Sequence, residues 1–211
     1  MKLIGMLDSP YVRRVAISLQ LLELPFEHES LSVFRAFDAF HRINPVVKAP
    51  SLICDDGEVL MDSTLILEYA ERLARPRTLM PAELPAFQDE LRLIGLALAA
   101  CEKSVQIVYE RGLRPPEKQH EPWLARVGGQ LCAACDEIES ALVRHPTAST
   151  REGITQGGVS AAVAWQFICK MTPDIVPAEG YPGLSAFAAQ AEALPEFIAA
   201  PYGDSTYKAT G

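Results

Sequence analysis

Residues Leu3 to Leu7 form an unbroken apolar run that reads as a short buried strand, and the run stops at Asp8-Ser9-Pro10. Beyond the break, Val12, Val15, Ala16 and Leu19 take helical spacing. Ser followed by Pro is a helix-start signal, because Pro fits the first turn, where its missing N–H costs nothing. A strand therefore feeds directly into a helix, with Ser9 at the helix mouth. That mouth carries unpaired N–H groups and the positive end of the helix dipole, so it favours anions. Two roles are open for a hydroxyl placed there: capping the helix, or serving a bound anion.

The chain that follows repeats this small-element style for about 75 residues and then abandons it. Phe26 to Ser30 gives a weak alternating strand. Phe34, Phe37, Phe40 and Ile43 recur at steps of three, one face of a short helix stopped by Asn44-Pro45. Ser51–Cys54 and Val59–Met61 are joined by Asp55-Asp56-Gly57-Glu58, a hairpin signal. Leu65, Ile66, Tyr69, Ala70 and Leu73 then mark an amphipathic helix starting at Asp62-Ser63. The order β-α-β-α-β-β-α over residues 1–75 is a compact α/β domain.

Residues 76–85 hold three prolines and no apolar periodicity, as a linker does. From 86 to 211 no strand is expected. Phe87, Leu91, Ile94, Leu98, Cys101, Val105 and Val108 stripe one long helix ending near Gly112, and Leu124 to Leu142 stripe a second. Thr155 to Met171 is apolar on every side, so it reads as a helix buried all round. A shorter helix around Leu184–Ala191 closes at Leu194-Pro195, and Pro201–Gly211 is expected to be loosely ordered. The second domain is thus an all-α helical bundle.

Composition narrows the function classes. The chain has 211 residues, 49% apolar and 22% charged, with a formal net charge of −8. No basic run exceeds Arg13-Arg14, which argues against nucleic acid as a partner. No stretch has the length and apolarity of a membrane span, and the start lacks a signal-peptide pattern. Five cysteines without framework spacing suit reduced thiols. The expected location is the cytoplasm. The four histidines, His28, His41, His120 and His145, lack ligand spacing, so no metal is expected. Cys132 and Cys135 have redox-motif spacing but lie inside a helical stripe, and they read as core residues.

Ser9-Pro10-Tyr11-Val12-Arg13, Asn44-Pro45-Val-Val-Lys48-Ala49-Pro50 and Asp62-Ser63-Thr-Leu-Ile-Leu-Glu-Tyr69, in this order and followed by helices alone, resemble a cytosolic glutathione transferase with a thioredoxin-like first domain. The first motif is most similar to the bacterial serine-type branch. The resemblance covers nearly the whole chain and implies glutathione as co-substrate. Pro50 would be cis, freeing the backbone of Ala49 to pair with the cysteinyl part of glutathione as an added strand. Many relatives carry Val at the Ala49 position. Lys48 would meet the glycyl carboxylate. Ser63, at a helix N-terminus, would take the γ-glutamyl carboxylate, and Asp62, often Glu in relatives, would face the α-ammonium. Plain helix capping by Asp62-Ser63 uses the same physics.

Ser9 is the catalytic candidate. A thiol with pKa ~8.5 is only slightly ionised at neutral pH, and one charge-assisted hydrogen bond at a helix N-terminus could lower it by ~2 units, or ~2.7 kcal/mol. Ser9 in place of Cys disfavours dithiol exchange. Tyr11 and Tyr109 are candidate linings of an acceptor site for a small electrophile. The resemblance also implies a homodimer. The competing function is a non-catalytic glutathione-binding or regulatory protein of the same fold. Finally, Gly153 to Gly158 resembles the family's capping segment before the buried helix, but Gly158 stands where Asp is usual, so a softer helix start is expected: the lost reciprocal bond and the glycine in the first turn should each cost ~1 kcal/mol.

Overall fold

A computed structural model describes residues 1–207. Its first compact unit comprises Met1–Leu79 together with the chain from Ala193 onward, and its second comprises Met80–Glu192. In the first unit the elements are β1 (Lys2–Ile4), α1 (Pro10–Leu21), β2 (Glu27–Glu29), α2 (Phe37–Ile43), β3 (Ser51–Ile53), β4 (Val59–Met61) and α3 (Ser63–Leu73), with α8 (Pro195–Ala199) returning to it. The sheet order is β2-β1-β3-β4. β1 and β2 are parallel in the register Leu3 to His28, whereas β3 runs antiparallel to both β1 and β4.

β1 ends three residues before the apolar run does. Gly5 turns the chain with φ +135°, and a Cβ there would lie 2.7 Å from Val12 Cγ2 and 3.1 Å from Ala49 Cβ. The close approach requires glycine. Leu7 is nevertheless fully buried, so the run marked the core correctly while overstating the strand. Leu3, Ile4, Val12, Val15, Ala16, Leu19, Leu52, Ile66 and Ala70 fill the space between the sheet and the packed pair α1 and α3. The aromatic spacing marks α2, which stops at Asn44 as expected, although Phe34 precedes the helix. Only Phe40 is buried, while Phe34 and Phe37 are more than half exposed.

Arg13 and Arg14, the sequence's only paired cations, are both buried. Arg13 Nε donates to the Ala200 carbonyl at 2.7 Å and Nη2 to the Phe197 carbonyl at 3.4 Å, with its guanidinium 5.6 Å from the Phe197 ring centre. Gln20 Nε2 donates to the Glu196 carbonyl at 3.0 Å. A cation at the C-terminal end of α8 meets the negative end of its dipole. These contacts draw the chain from Ala193 into the first unit, although the sequence pattern grouped it with the helical half. The expectation of a loose tail from Pro201 is likewise corrected as far as Tyr207, whose ring stacks on Phe26 at 4.5 Å; residues 208–211 lie outside the described residues.

The second unit contains α4 (Leu84–Leu113), α5 (Glu121–Arg144), α6 (Gln156–Met171) and α7 (Pro182–Glu192). α4 packs on both α5 and α6, and α7 on α5 and α6. α6 is buried on every side, as its composition requires. Two helices here begin on a glutamate donated by another helix. At α6, the Gly157 N–H donates to the Glu90 carboxylate of α4, and the Gly158 N–H to Thr155 Oγ at 3.3 Å. At α7, the N–H groups of Gly183 and Leu184 donate to the two oxygens of Glu139 at 2.7 and 2.6 Å. An added Cβ on Gly157 or Gly183 would lie 2.8 Å from the incoming carboxylate in each case. Glycine makes room, and the borrowed charge meets the helix dipole.

Glu90 therefore supplies the carboxylate whose absence at position 158 implied a soft helix start. A side chain at 158 would press on Thr147 and Phe187, 3.0 and 3.2 Å from its Cβ. Burial raises the Glu90 pKa above its ordinary 4.5, against the lowering effect of its bonds to Gly157 and Thr155. The folded chain thus retains a proton that the unfolded chain has lost, so the stability contributed by this carboxyl declines as pH rises from about 4.5 through its folded value. Glu90→Ala, which orphans the Gly157 N–H, is expected to cost about 1–3 kcal/mol in urea unfolding. Glu90→Gln keeps an acceptor without a charge to bury, so it should cost less and remove that decline.

Candidate functional site

Three loops of the first unit carry the residues singled out in the sequence. At the first, Ser9 is the N-cap of α1, half-buried, with Oγ accepting the Val12 N–H at 3.4 Å, a long and weak cap. Accepting that bond leaves the hydroxyl proton available to donate. The two roles left open for Ser9 are therefore compatible in one side chain. Tyr11, half-buried, follows in the first turn of α1, whereas Tyr109 belongs to the second unit, on α4, and is 44% exposed. Asp8 precedes Ser9; burial holds its carboxyl above the usual range, opposed by bonding to the Ser9 backbone and by the nearby Arg35 cation.

The second loop runs from Asn44 to Ser51. The Ala49–Pro50 peptide is cis. Among the described residues neither the N–H nor the C=O of Ala49 is paired with another backbone group. Asn44, 5% exposed, organises the loop: its Oδ1 accepts the Val46 N–H at 3.0 Å, and its Nδ2 donates to Ser51 Oγ at 2.8 Å. Ser51 Oγ–H in turn donates to the Lys48 carbonyl at 2.8 Å. Val47 is held at φ +52°, a conformation that a β-branched residue rarely adopts.

The third loop is the start of α3. Asp62, not Ser63, is its N-cap, with Oδ1 accepting the Thr64 N–H at 2.9 Å. Asp62 also has positive φ, +71°. Two of the described chain's three non-glycine residues with positive φ thus lie in these two loops, where strain is often stored at ligand clamps. Ser63 is buried, and Arg14 Nη1 donates to Ser63 Oγ at 3.2 Å and to Thr64 Oγ1 at 3.3 Å. The guanidinium adds positive potential to that of the helix N-terminus.

Lys48 Nζ stands 3.8 Å from Asp62 Oδ2, both side chains about half exposed, which joins the second loop to the third. A pair this exposed is worth about 0–1 kcal/mol, so a ligand with charges of both signs can displace it at little cost.

Sequence reasoning missed Arg14 and Asn44. Arg14 was visible only as half of a basic pair, and Asn44 only as a helix stop before Pro45. Among the described residues no group of three or more His, Cys, Asp or Glu could hold a metal ion, and no helix is long and apolar enough to cross a membrane.

Comparison with known proteins agrees with this geometry. The family model described as "Glutathione S-transferase, N-terminal domain" matches residues 3–78. A glutathione S-transferase from Methylobacterium radiotolerans, solved in complex with glutathione sulfonate, superposes with a TM-score of 0.86 at 25% identity, covering 100% of this chain and 99% of that one. These matches support placing the chain in the cytosolic glutathione S-transferase superfamily. A Pseudomonas fluorescens member of this superfamily with bound glutathione is 29% identical, with a TM-score of 0.78 over 94% of this chain and 97% of that one. Among curated relatives, the uncharacterized GST-like protein YibF of Escherichia coli is 25% identical over 82% of this chain and 85% of its own length. Glutathione S-transferase U3 of Arabidopsis thaliana is 30% identical over 52% of this chain and 54% of its own.

Because Asn44 ties Lys48, Ser51 and Val46 together from a buried position, Asn44→Ala should leave Ser51 Oγ without its donor and destabilise the chain by about 1–3 kcal/mol. Chemical denaturation measures this, and unchanged stability would show that the loop holds itself.

Proposed function

We propose that the chain binds glutathione across the three loops of its first unit and transfers the glutathione thiolate to a small electrophile. The observation that carries this reading is the state of Ser9: its oxygen caps α1 while its proton remains available to a sulfur anion at the same helix mouth. The γ-glutamyl carboxylate meets Ser63 and the N-terminus of α3, with the positive potential of Arg14 behind them. The α-ammonium meets Asp62. The unpaired backbone of Ala49, next to Pro50, takes the cysteinyl amide as a strand partner. Lys48 leaves Asp62 for the glycyl carboxylate. The ligands of the Methylobacterium and Pseudomonas relatives support this assignment.

The chemistry asks little of the protein beyond electrostatics. Sulfur attacks the electrophile's carbon as the leaving group departs with the bonding pair, and the thiol proton goes to solvent before attack. Ser9 stabilises the thiolate by hydrogen bonding and never forms a bond to substrate, so it needs no neighbouring base. Tyr11, two residues from Ser9, is the side chain assigned to the acceptor. Turnover of a chloro-dinitrobenzene with glutathione tests the reading. Ser9→Ala should lower kcat by roughly 10–100-fold, the equivalent of ~1.4–2.7 kcal/mol, while glutathione affinity changes little. Equal turnover in the variant would remove the catalytic role of Ser9. Glutathione binding with no turnover across an electrophile panel would instead identify a binding protein.

A second copy of the chain is the proposed partner. Leu65, Tyr69 and Leu73 lie four residues apart on α3 and are 37–59% exposed, an apolar row on its outer side that Met61, at the end of β4, continues. On α4, Leu84 and Leu91 are likewise exposed. Light scattering should give twice the 23.1 kDa chain mass, and Leu65→Glu with Leu73→Glu should give the single mass. A monomeric wild-type protein would contradict the assignment.

A further inference from the structure

His28, on β2, touches two segments that are remote in sequence. Its Nε2 lies 2.7 Å from the Gly5 carbonyl, and its Nδ1 accepts the Tyr207 N–H at 2.9 Å. A donor at Nδ1 requires that nitrogen to be unprotonated, so the ring proton sits on Nε2 and is donated to Gly5. Only one state of the imidazole, neutral with Nε2–H, makes both bonds. Adding a proton would set Nδ1–H against the Tyr207 N–H, two donors facing each other.

Each side of this bridge leads somewhere. On one side, the segment after α8 is fastened along the first unit: the Tyr207 ring stacks on Phe26, Ser30 Oγ–H donates to the Asp204 carbonyl at 2.9 Å, and Arg35 stands 3.9 Å from the Asp204 carboxylate. On the other, Gly5 is the bend pressed against both Val12, in the first turn of α1, and Ala49. His28 thus connects the C-terminal segment to the point where two of the three site loops meet.

We propose that His28 is a proton-operated clasp: protonating it sets Nδ1–H against the Tyr207 N–H and releases residues 201–207, while the Nε2–H bond to the Gly5 carbonyl is kept and gains charge assistance. The clasp rests on hydrogen-bond geometry alone and is independent of the glutathione-binding reading above. The charged and titratable groups on the elements that meet at His28 are Lys2, Glu27 and Glu29 on the strands, Asp8 and Arg35 by the bend, and Asp204 and Tyr207 on the tail. Lys2 pairs with Glu29 at 3.2 Å and with Glu27 at 3.9 Å, and those two glutamates alternate to the other side of the strand from His28. Burial lowers the imidazole pKa from 6.5, opposed only by the Gly5 carbonyl, so the clasp is closed at neutral pH and opens on acidification below that value.

Nuclear magnetic resonance of the full chain tests the clasp. At about pH 8 the His28 ring should be the Nε2–H tautomer, and the Tyr207 amide should lose its exchange protection with the midpoint of His28 protonation. Tyr207→Pro removes the competing donor, so the His28 midpoint should move up towards 6.5. An Nδ1–H tautomer, a Tyr207 amide indifferent to His28, or an unmoved midpoint in Tyr207→Pro would each overturn the clasp.

Discussion

The two buried arginines of α1 hold the first unit together by tying that helix to α8 and to the start of α3. Arg13 secures the carbonyls at the end of α8, and Arg14 secures the hydroxyls at the start of α3. A guanidinium is suited to this task, since its donors are fixed in a plane and it keeps its charge when buried. Burying a charge is costly unless its hydrogen bonds are made. The pair therefore fixes which elements must lie beside α1, and the mouths of α1 and α3, with Ser9 and Asp62-Ser63, are carried by one locked arrangement.

Carboxylates perform the matching task in the second unit. Glu90 and Glu139 each cross from one helix to the N-terminus of another, and each is admitted by a glycine. Charge complementarity at helix ends thus recurs in both units, with the Arg13 cation serving the C-terminus of α8 in one and carboxylates serving N-termini in the other. A family pattern lost at one position, the Asp replaced by Gly158, is compensated by a residue 68 positions earlier in the chain.

Local chemistry explains what the sequence made legible. Ser9-Pro10 and Asp62-Ser63 are helix starts because hydroxyl, carboxylate and proline each act on their own backbone, so both junctions were readable without tertiary information. The hairpin at Asp55–Glu58 and the all-round apolar α6 were legible for the same reason. What escaped depends on partners distant in sequence. Nothing local distinguishes a buried Arg14 from a solvated one, and nothing around Asn44 announces bonds to Ser51 and Val46. The stripe Phe34, Phe37, Phe40 has helical spacing, yet two of its three rings face solvent, because spacing reports a face and not what covers it. The return of the chain at Ala193 was illegible because its anchors are backbone carbonyls, which carry no residue signature.

The central claim is that the mouth of α1 stabilises a thiolate by a hydrogen bond from Ser9. The thiolate absorbance of glutathione bound to the protein, followed against pH, addresses it most directly. The bound thiol should have a pKa about 2 units below the ordinary value near 8.5, with most of that lowering lost in Ser9→Ala. A bound thiol that titrates like free glutathione in the wild-type protein would contradict it.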